Sequence, residues 1–185
     1  SAIFQHMKLP SQIITELGSK LVEPFDPELV NPASYDITLD ETAIYRGNLV
    51  KLSFTLEPGD FILVSSKQYW HFPIDVGGQL MLKSTIGRNG INHMLAGWFD
   101  PDFHGTATME LHNSGHLPFT LTEDMRVAQM VFDLMLAAPD KLYRDTGKYQ
   151  GQEGVTPARI DRSNIIQDKK NEQSSSYLRH RFFNA

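Results

Sequence analysis

The stretch "AGWFDPDFHGTATMELHN", residues 96–113, contains two carboxylates, Asp100 and Glu110, whose placement bears on acid–base chemistry. In "GTATMELHN" strict alternation puts Ala107, Met109 and Leu111 on one face of a strand and Thr106, Thr108 and Glu110 on the other. Glu110 therefore leaves the core. A carboxyl on that face is either a general acid–base group or, more plainly, a solvated surface glutamate. Asp100 stands before Pro101, where aspartate ordinarily forms a turn.

A second candidate is "KSTIGRNG", residues 83–90, which crowds Lys83, Ser84, Thr85 and Arg88 around Gly87 and Gly90. Glycine lets backbone approach a ligand, successive N–H groups form an anion nest, and arginine forks onto phosphate oxygens. A phosphate cradle and an ordinary polar connection both fit, and the spacing matches no Walker pattern. His104, His112 and His116 are candidates for a metal cluster, but His112 and His116 straddle a strand end in "HNSGH", where i and i+4 do not share a face, so surface or turn histidines are expected. Gln129 is an amide among apolar neighbours and needs a partner if buried. "GKYQGQEGVTPARID" combines Lys148, Tyr149, Gln150 and Gln152 with glycines, as a closing flap or a loose terminus would.

These groups must be positioned by short strands. "SYDITL", "TAIYRG", "DFILVSS", "QLMLK", "TATMELHN", "LPFTLT" and "MRVAQMVFDLML" are β-branched or aromatic runs broken by Pro, Gly, Asp and Asn. The spacing predicts a mainly β barrel or sandwich, with no strand–helix alternation of the kind that builds a parallel sheet. One short helix is expected over "SQIITELG", with Ser11 as N-cap and Gly18 ending it. A domain over 7–140 is followed by a polar, Gly-rich segment, 141–161, and a charged tail, 162–185; residues 1–6 read as an expression-tag remnant before Met7.

At 185 residues one domain is expected. The net charge of −5 argues against a nucleic-acid backbone as partner, and no apolar run approaches the roughly 20 residues of a membrane span. The absence of cysteine excludes disulfides and any Cys-ligated zinc, and is in keeping with a cytoplasmic protein.

Taken together and in order, "LVEPFDPELVNPASYDITLD", "LEPGDFILVSS", "KSTIGRNG", "AGWFDPDFHGTATMELHN" and "KYQGQEGVTPARID" resemble the dCTP deaminases of the dUTPase superfamily, over residues 7–161. The resemblance implies a distorted β-barrel or jelly roll, a homotrimer with active sites between subunits, and a C-terminal segment that covers the nucleotide. It also implies zinc-independent deamination of dCTP at cytosine C4 with release of ammonia, in the supply of dTTP synthesis. Most nucleobase deaminases activate water on zinc held by His and Cys; this chain has no thiolate to offer.

Carried over residue by residue, Glu110 would be the general base and acid. Ser84 and the carbonyl of Ala96 would hold the water, and Arg88 would orient the site and offset developing charge. Residues Lys83, Ser84, Thr85, Ile86, Gly87 and Arg88 would contact the triphosphate, with Mg²⁺ arriving on it. Asp100 would accept from the deoxyribose 3′-OH, backbone around Thr108 and Met109 would read the base, and Gln129, Tyr143, Lys148 and Gln152 would complete the nucleotide contacts. Gly97-Trp98 and Gln129 resemble the members that continue from dUTP to dUMP and pyrophosphate, in which Asp100 also helps activate water at the α-phosphate. dTTP is a candidate feedback inhibitor. The rival readings are a deaminase that stops at dUTP, a plain dUTPase and a non-catalytic nucleotide-binding regulatory protein. The chain departs from the family pattern in a connection about one residue shorter between Gly90 and Ala96, in a shortened link from Tyr143 to Lys148, and in Lys83 and Asn89, where Arg and Leu are common.

Overall fold

The computed structural model describes residues 7–161 and 164. The expected tag remnant and the tail, Asn164 excepted, lie outside the described residues. Thirteen strands and three short α-helices follow in the order β1 (Met7–Lys8), α1 (Ser11–Leu17), β2 (Val22–Glu23), β3 (Val30–Asn31), β4 (Ser34–Tyr45), β5 (Asn48–Lys51), β6 (Phe54–Leu56), β7 (Phe61–His71), β8 (Val76–Leu82), α2 (Ser84–Arg88), β9 (Ile91–His93), β10 (Trp98–Phe99), β11 (His104–Asn113), β12 (Phe119–Leu121), β13 (Arg126–Leu134) and α3 (Tyr143–Thr146). All strand pairs are antiparallel, and the main sheet runs β10-β8-β13-β4-β7-β11-β9, with β6 and β12 forming a separate pair.

β4 gives the sheet its curl. Its N-terminal half pairs with β13 and its C-terminal half with β7 and β5, with an irregularity in the β7 register between Leu39 and Ala43. The sequence suggests two strands here; one 12-residue strand passes instead from one side of the barrel to the other. Arg46 and Gly47 then turn into β5 with φ of 49° and 78°, the pair of positive values that suits the twist of a two-residue hairpin.

Inside the curl, Trp70 packs against Tyr35, Phe72 and Phe132 at ring-centroid distances of 5.9, 6.4 and 6.1 Å. Ile37, Leu39, Ile62, Val64, Met109 and Leu111 are fully or almost fully buried around them, each worth about 1.5–3 kcal/mol of transfer free energy. In α1, Ile14 enters the core, and Gly18 at φ 49° ends the helix as expected. Pro10, not Ser11, occupies the N-cap position, and Ser11 is the first helical residue; a proline's extended backbone leads into the turn without a side-chain cap.

The outer edge of β11 is shared by two partners. β9 pairs with Leu111–Asn113, while the C-terminal segment lies along the other half. Gly151 N–H donates to His104 O (2.7 Å), Thr106 N–H to Gln152 O (2.9 Å) and Thr156 N–H to Thr108 Oγ1 (3.1 Å), with a parallel bridge between Gly105 and Gln152. This covers an edge that would otherwise present unpaired backbone groups. No helix among the described residues is long and apolar enough to cross a membrane.

Candidate active site

The alternation along β11 holds in three dimensions. Ala107, Met109 and Leu111 are buried in the core, whereas Thr108 and Glu110 are half-buried and face a cleft of about 420 Å³, a size suited to a small organic ligand. Glu110 stands opposite Leu63 of β7. Burial pushes its carboxyl above the usual glutamate range, partly offset by a hydrogen bond from its own backbone. Among the described residues no ion pair relieves that cost, and a carboxyl so placed takes and returns a proton closer to neutrality than an exposed one.

Another wall comes from β10 and the turn after it. Trp98 Nε1–H donates to Asp100 Oδ1 at 3.1 Å, and both side chains line the cleft with Ala96. The indole lies over β8 at Gly77, where a Cβ would come within 2.5 Å of Trp98 Cη2; any side chain there would displace the ring. Gly97 also lies against β8: its carbonyl accepts from Leu80 N–H at 2.8 Å, and an added Cβ would stand 3.1 Å from Leu80 O.

The C-terminal segment supplies the cover. Tyr143, Tyr149, Gln152 and Thr156 line the same cleft. Tyr143 packs edge-on to Phe103 (centroids 5.5 Å) and its hydroxyl accepts from Tyr149 N–H at 3.2 Å; burial pushes its phenol pKa up. Gln152 is buried, its amide donating to Thr106 O at 2.6 Å.

Eight of the residues singled out from the sequence thus meet around one cleft: Ala96, Trp98, Asp100, Thr108, Glu110, Tyr143, Tyr149 and Gln152. Others stand elsewhere. Residues 83–88 do not line it; "KSTIGR" forms the start and body of α2, with Ile86 in the core and Asn89 Nδ2 donating to Thr85 O at 2.8 Å. Lys83 Nζ bonds Asp36 Oδ1 at 2.6 Å, and that buried carboxylate also receives Asn31 Nδ2 at 2.7 Å and lies 3.6 Å from Arg126 Nη1. Met109 is in the core, and Gln129 finds the partner it needs in Ser34, whose hydroxyl donates at 2.6 Å. Lys148 pairs with Asp161 at 3.0 Å and hydrogen-bonds Asn164.

His104 meets neither His112 nor His116 but His71, with their Nδ1 atoms 3.2 Å apart. Phe61 and Leu63 line the cleft and were missed from the sequence. The period-2 pattern of "FILVSS" would have found them, since Ile62 and Val64 are the buried members of that run. Among the described residues no three His, Asp or Glu side chains are grouped to hold a metal ion.

Residues 48–135 match the family model described as dCTP deaminase-like. The "dCTP deaminase, dUMP-forming" of Acidothermus cellulolyticus is 33% identical, the match covering 77% of this chain and 87% of the relative. The protein of the same description from Thermobifida fusca is 35% identical, over 78% of this chain and 86% of its own length. The crystal structure of 2′-deoxycytidine 5′-triphosphate deaminase from Agrobacterium tumefaciens superposes with a TM-score of 0.63 at 20% identity, over 70% of this chain and 48% of that one. The chain spans about half of that solved chain, and the likeness is one of fold.

Proposed function

The chain belongs to the dCTP deaminase family, and from that premise we propose that it hydrolyses dCTP to dUTP and ammonia and then dUTP to dUMP and pyrophosphate. The observation that carries the reading is Glu110, a half-buried carboxyl with a raised pKa on the polar face of β11, aimed into the cleft. Its carboxylate takes one proton from water as the oxygen bonds to cytosine C4 and passes it to N3, then takes the second from the new C4 hydroxyl and passes it to the 4-amino nitrogen, which leaves as ammonia. The water's oxygen becomes O4 of the uracil.

The carbonyl of Ala96, beside the same cleft, and the hydroxyl of Ser84 hold the water, while Arg88 offsets charge that develops in the transition state. Ser84 and Arg88 stand on α2, away from this chain's own cleft. That separation supports a site completed by a second copy, as in a homotrimer with active sites between subunits. Residues 83–88 and Lys148 bind the triphosphate, Asp100 takes the 3′-OH, backbone at Thr108 and Met109 reads the base, and Gln129, Tyr143 and Gln152 complete the nucleotide site. Residues 7–140 form the catalytic β domain and residues 141–161 its nucleotide cover.

Mg²⁺ would arrive on the triphosphate, held by its phosphate oxygens, and would there neutralise phosphate charge. The Trp98–Asp100 hydrogen bond supports the second step, since it orients the carboxylate that would activate water at the α-phosphate. dTTP, an end product of the route that dUMP feeds, is the feedback inhibitor to examine.

Purified protein incubated with dCTP and Mg²⁺, with nucleotides separated by anion exchange and ammonia assayed in parallel, tests the reading. Ammonia with dUMP and pyrophosphate is expected. Persistent dUTP would limit the chain to the first step, and no ammonia would overturn the proposal.

A further inference from the structure

Asp102 holds a backbone conformation that favours glycine, with φ at 71°. Aspartate tolerates this region better than most residues, yet glycine would occupy it without strain, so the carboxylate is the feature to explain. It is almost fully buried. Arg144, at the start of the covering segment, donates to Oδ2 from both its backbone N–H (3.1 Å) and Nε (2.7 Å), and from Nη2 to Oδ1. This is the forked geometry that only arginine offers a carboxylate. The guanidinium beside it holds the Asp102 carboxyl below the usual aspartate range.

A second tie lies alongside. Gln150 Nε2 donates to Asp102 O at 2.9 Å, and its Oε1 accepts from His104 N–H at 2.9 Å. The turn held in this way is the one that presents Asp100: Phe103 N–H donates to Asp100 O at 3.2 Å and Asp102 N–H to Pro73 O at 3.1 Å. The turn therefore meets the covering segment at Arg144 and again at Gln150, near the two ends of the stretch whose Tyr143, Tyr149 and Gln152 wall the cleft.

We propose that Asp102 and Arg144 are positioning residues, whose ion pair locks the covering segment to the turn bearing Asp100 and so sets the nucleotide side of the cleft. The proposal rests on the deaminase reading of that cleft. Neither side chain lines it, so neither is a catalytic residue. Because Glu110 sits on β11, outside this lock, the pair governs how tightly nucleotide is held more than how fast the held nucleotide reacts.

The test uses the full chain with Arg144→Ala, Arg144→Lys and Asp102→Gly. Asp102→Gly is the informative variant: it suits the backbone at φ 71° while deleting the anchor, so it is expected to fold. Trypsin cleavage after Lys148, followed by mass spectrometry without nucleotide, reads the lock independently of activity. Cleavage is expected to quicken by about tenfold in Arg144→Ala and Asp102→Gly, and less in Arg144→Lys, which keeps the charge but not the fork. KM for dCTP is expected to rise about tenfold with kcat within about twofold, a loss of binding rather than of chemistry. Unchanged cleavage in Asp102→Gly would overturn the lock; faster cleavage with unchanged KM would overturn its role in the site. If the unaltered protein does not turn over dCTP, the deaminase reading fails, and the cleavage rates still decide the lock.

Discussion

Trp98 Nε1–H and Asp100 Oδ1 stand 3.1 Å apart, so an indole that is half exposed fixes the direction of a carboxylate two residues on. Trp98→Phe keeps a ring over Gly77 but removes the donor. Deamination is expected to persist while conversion of dUTP to dUMP slows by about tenfold or more, an effect on the scale of one lost orienting hydrogen bond. Time courses from dCTP would then show dUTP accumulating. Equal slowing of both steps would separate Trp98 from the second one.

Glu110→Gln removes the proposed proton shuttle while preserving shape. The rate of ammonia release is expected to fall by at least about 100-fold, with dCTP still bound, as measured by single-turnover assay and by calorimetric titration. Near-normal release would take Glu110 out of that role.

The same residue predicts a pH signature in stability. Its folded pKa is raised by burial above the unfolded value, so the folded state favours the protonated carboxyl. That contribution is fully present below the unfolded pKa and is lost as pH rises through the folded pKa. Glu110→Gln, which cannot ionise, should therefore melt higher than the unaltered protein at pH values above both pKa values, and the difference should vanish in acid. Thermal melts at fixed protein concentration check the sign. For activity, kcat/KM should fall on its acid side at a higher pH than an ordinary glutamate would give.

Lys83→Met leaves Asp36 buried without its closest cation. Removing one partner of a buried pair costs about 3–5 kcal/mol; with Asn31 and Arg126 still beside Asp36, about 2 kcal/mol is expected, or roughly 4–8 °C in Tm for a chain of this size. Lys83→Arg should recover most of it. A Lys83→Met protein with unchanged Tm but weakened dCTP binding would instead favour the triphosphate contact suggested by the family resemblance.

The sequence by itself determined what has a local period. Alternation along "GTATMELHN" places Glu110 and Thr108 off the core because successive strand side chains must point to opposite faces. Gly18 ends α1 because its positive φ suits glycine, and the many short β-rich runs make a curled antiparallel sheet the economical solution. The order of five short segments was enough to indicate the family.

Only the tertiary structure decided which distant groups claim one another. Lys83 belongs to a carboxylate 47 residues earlier, Gln129 to Ser34, and Asp102 to Arg144. Residues 34–45 are one strand because β13 and β7 each take half of it. The covering segment has no periodicity to read; it is ordered by the open edge of β11, a row of donors and acceptors that exists only once the sheet has formed. Such pairings follow from three-dimensional closure, and no window of neighbouring residues encodes them.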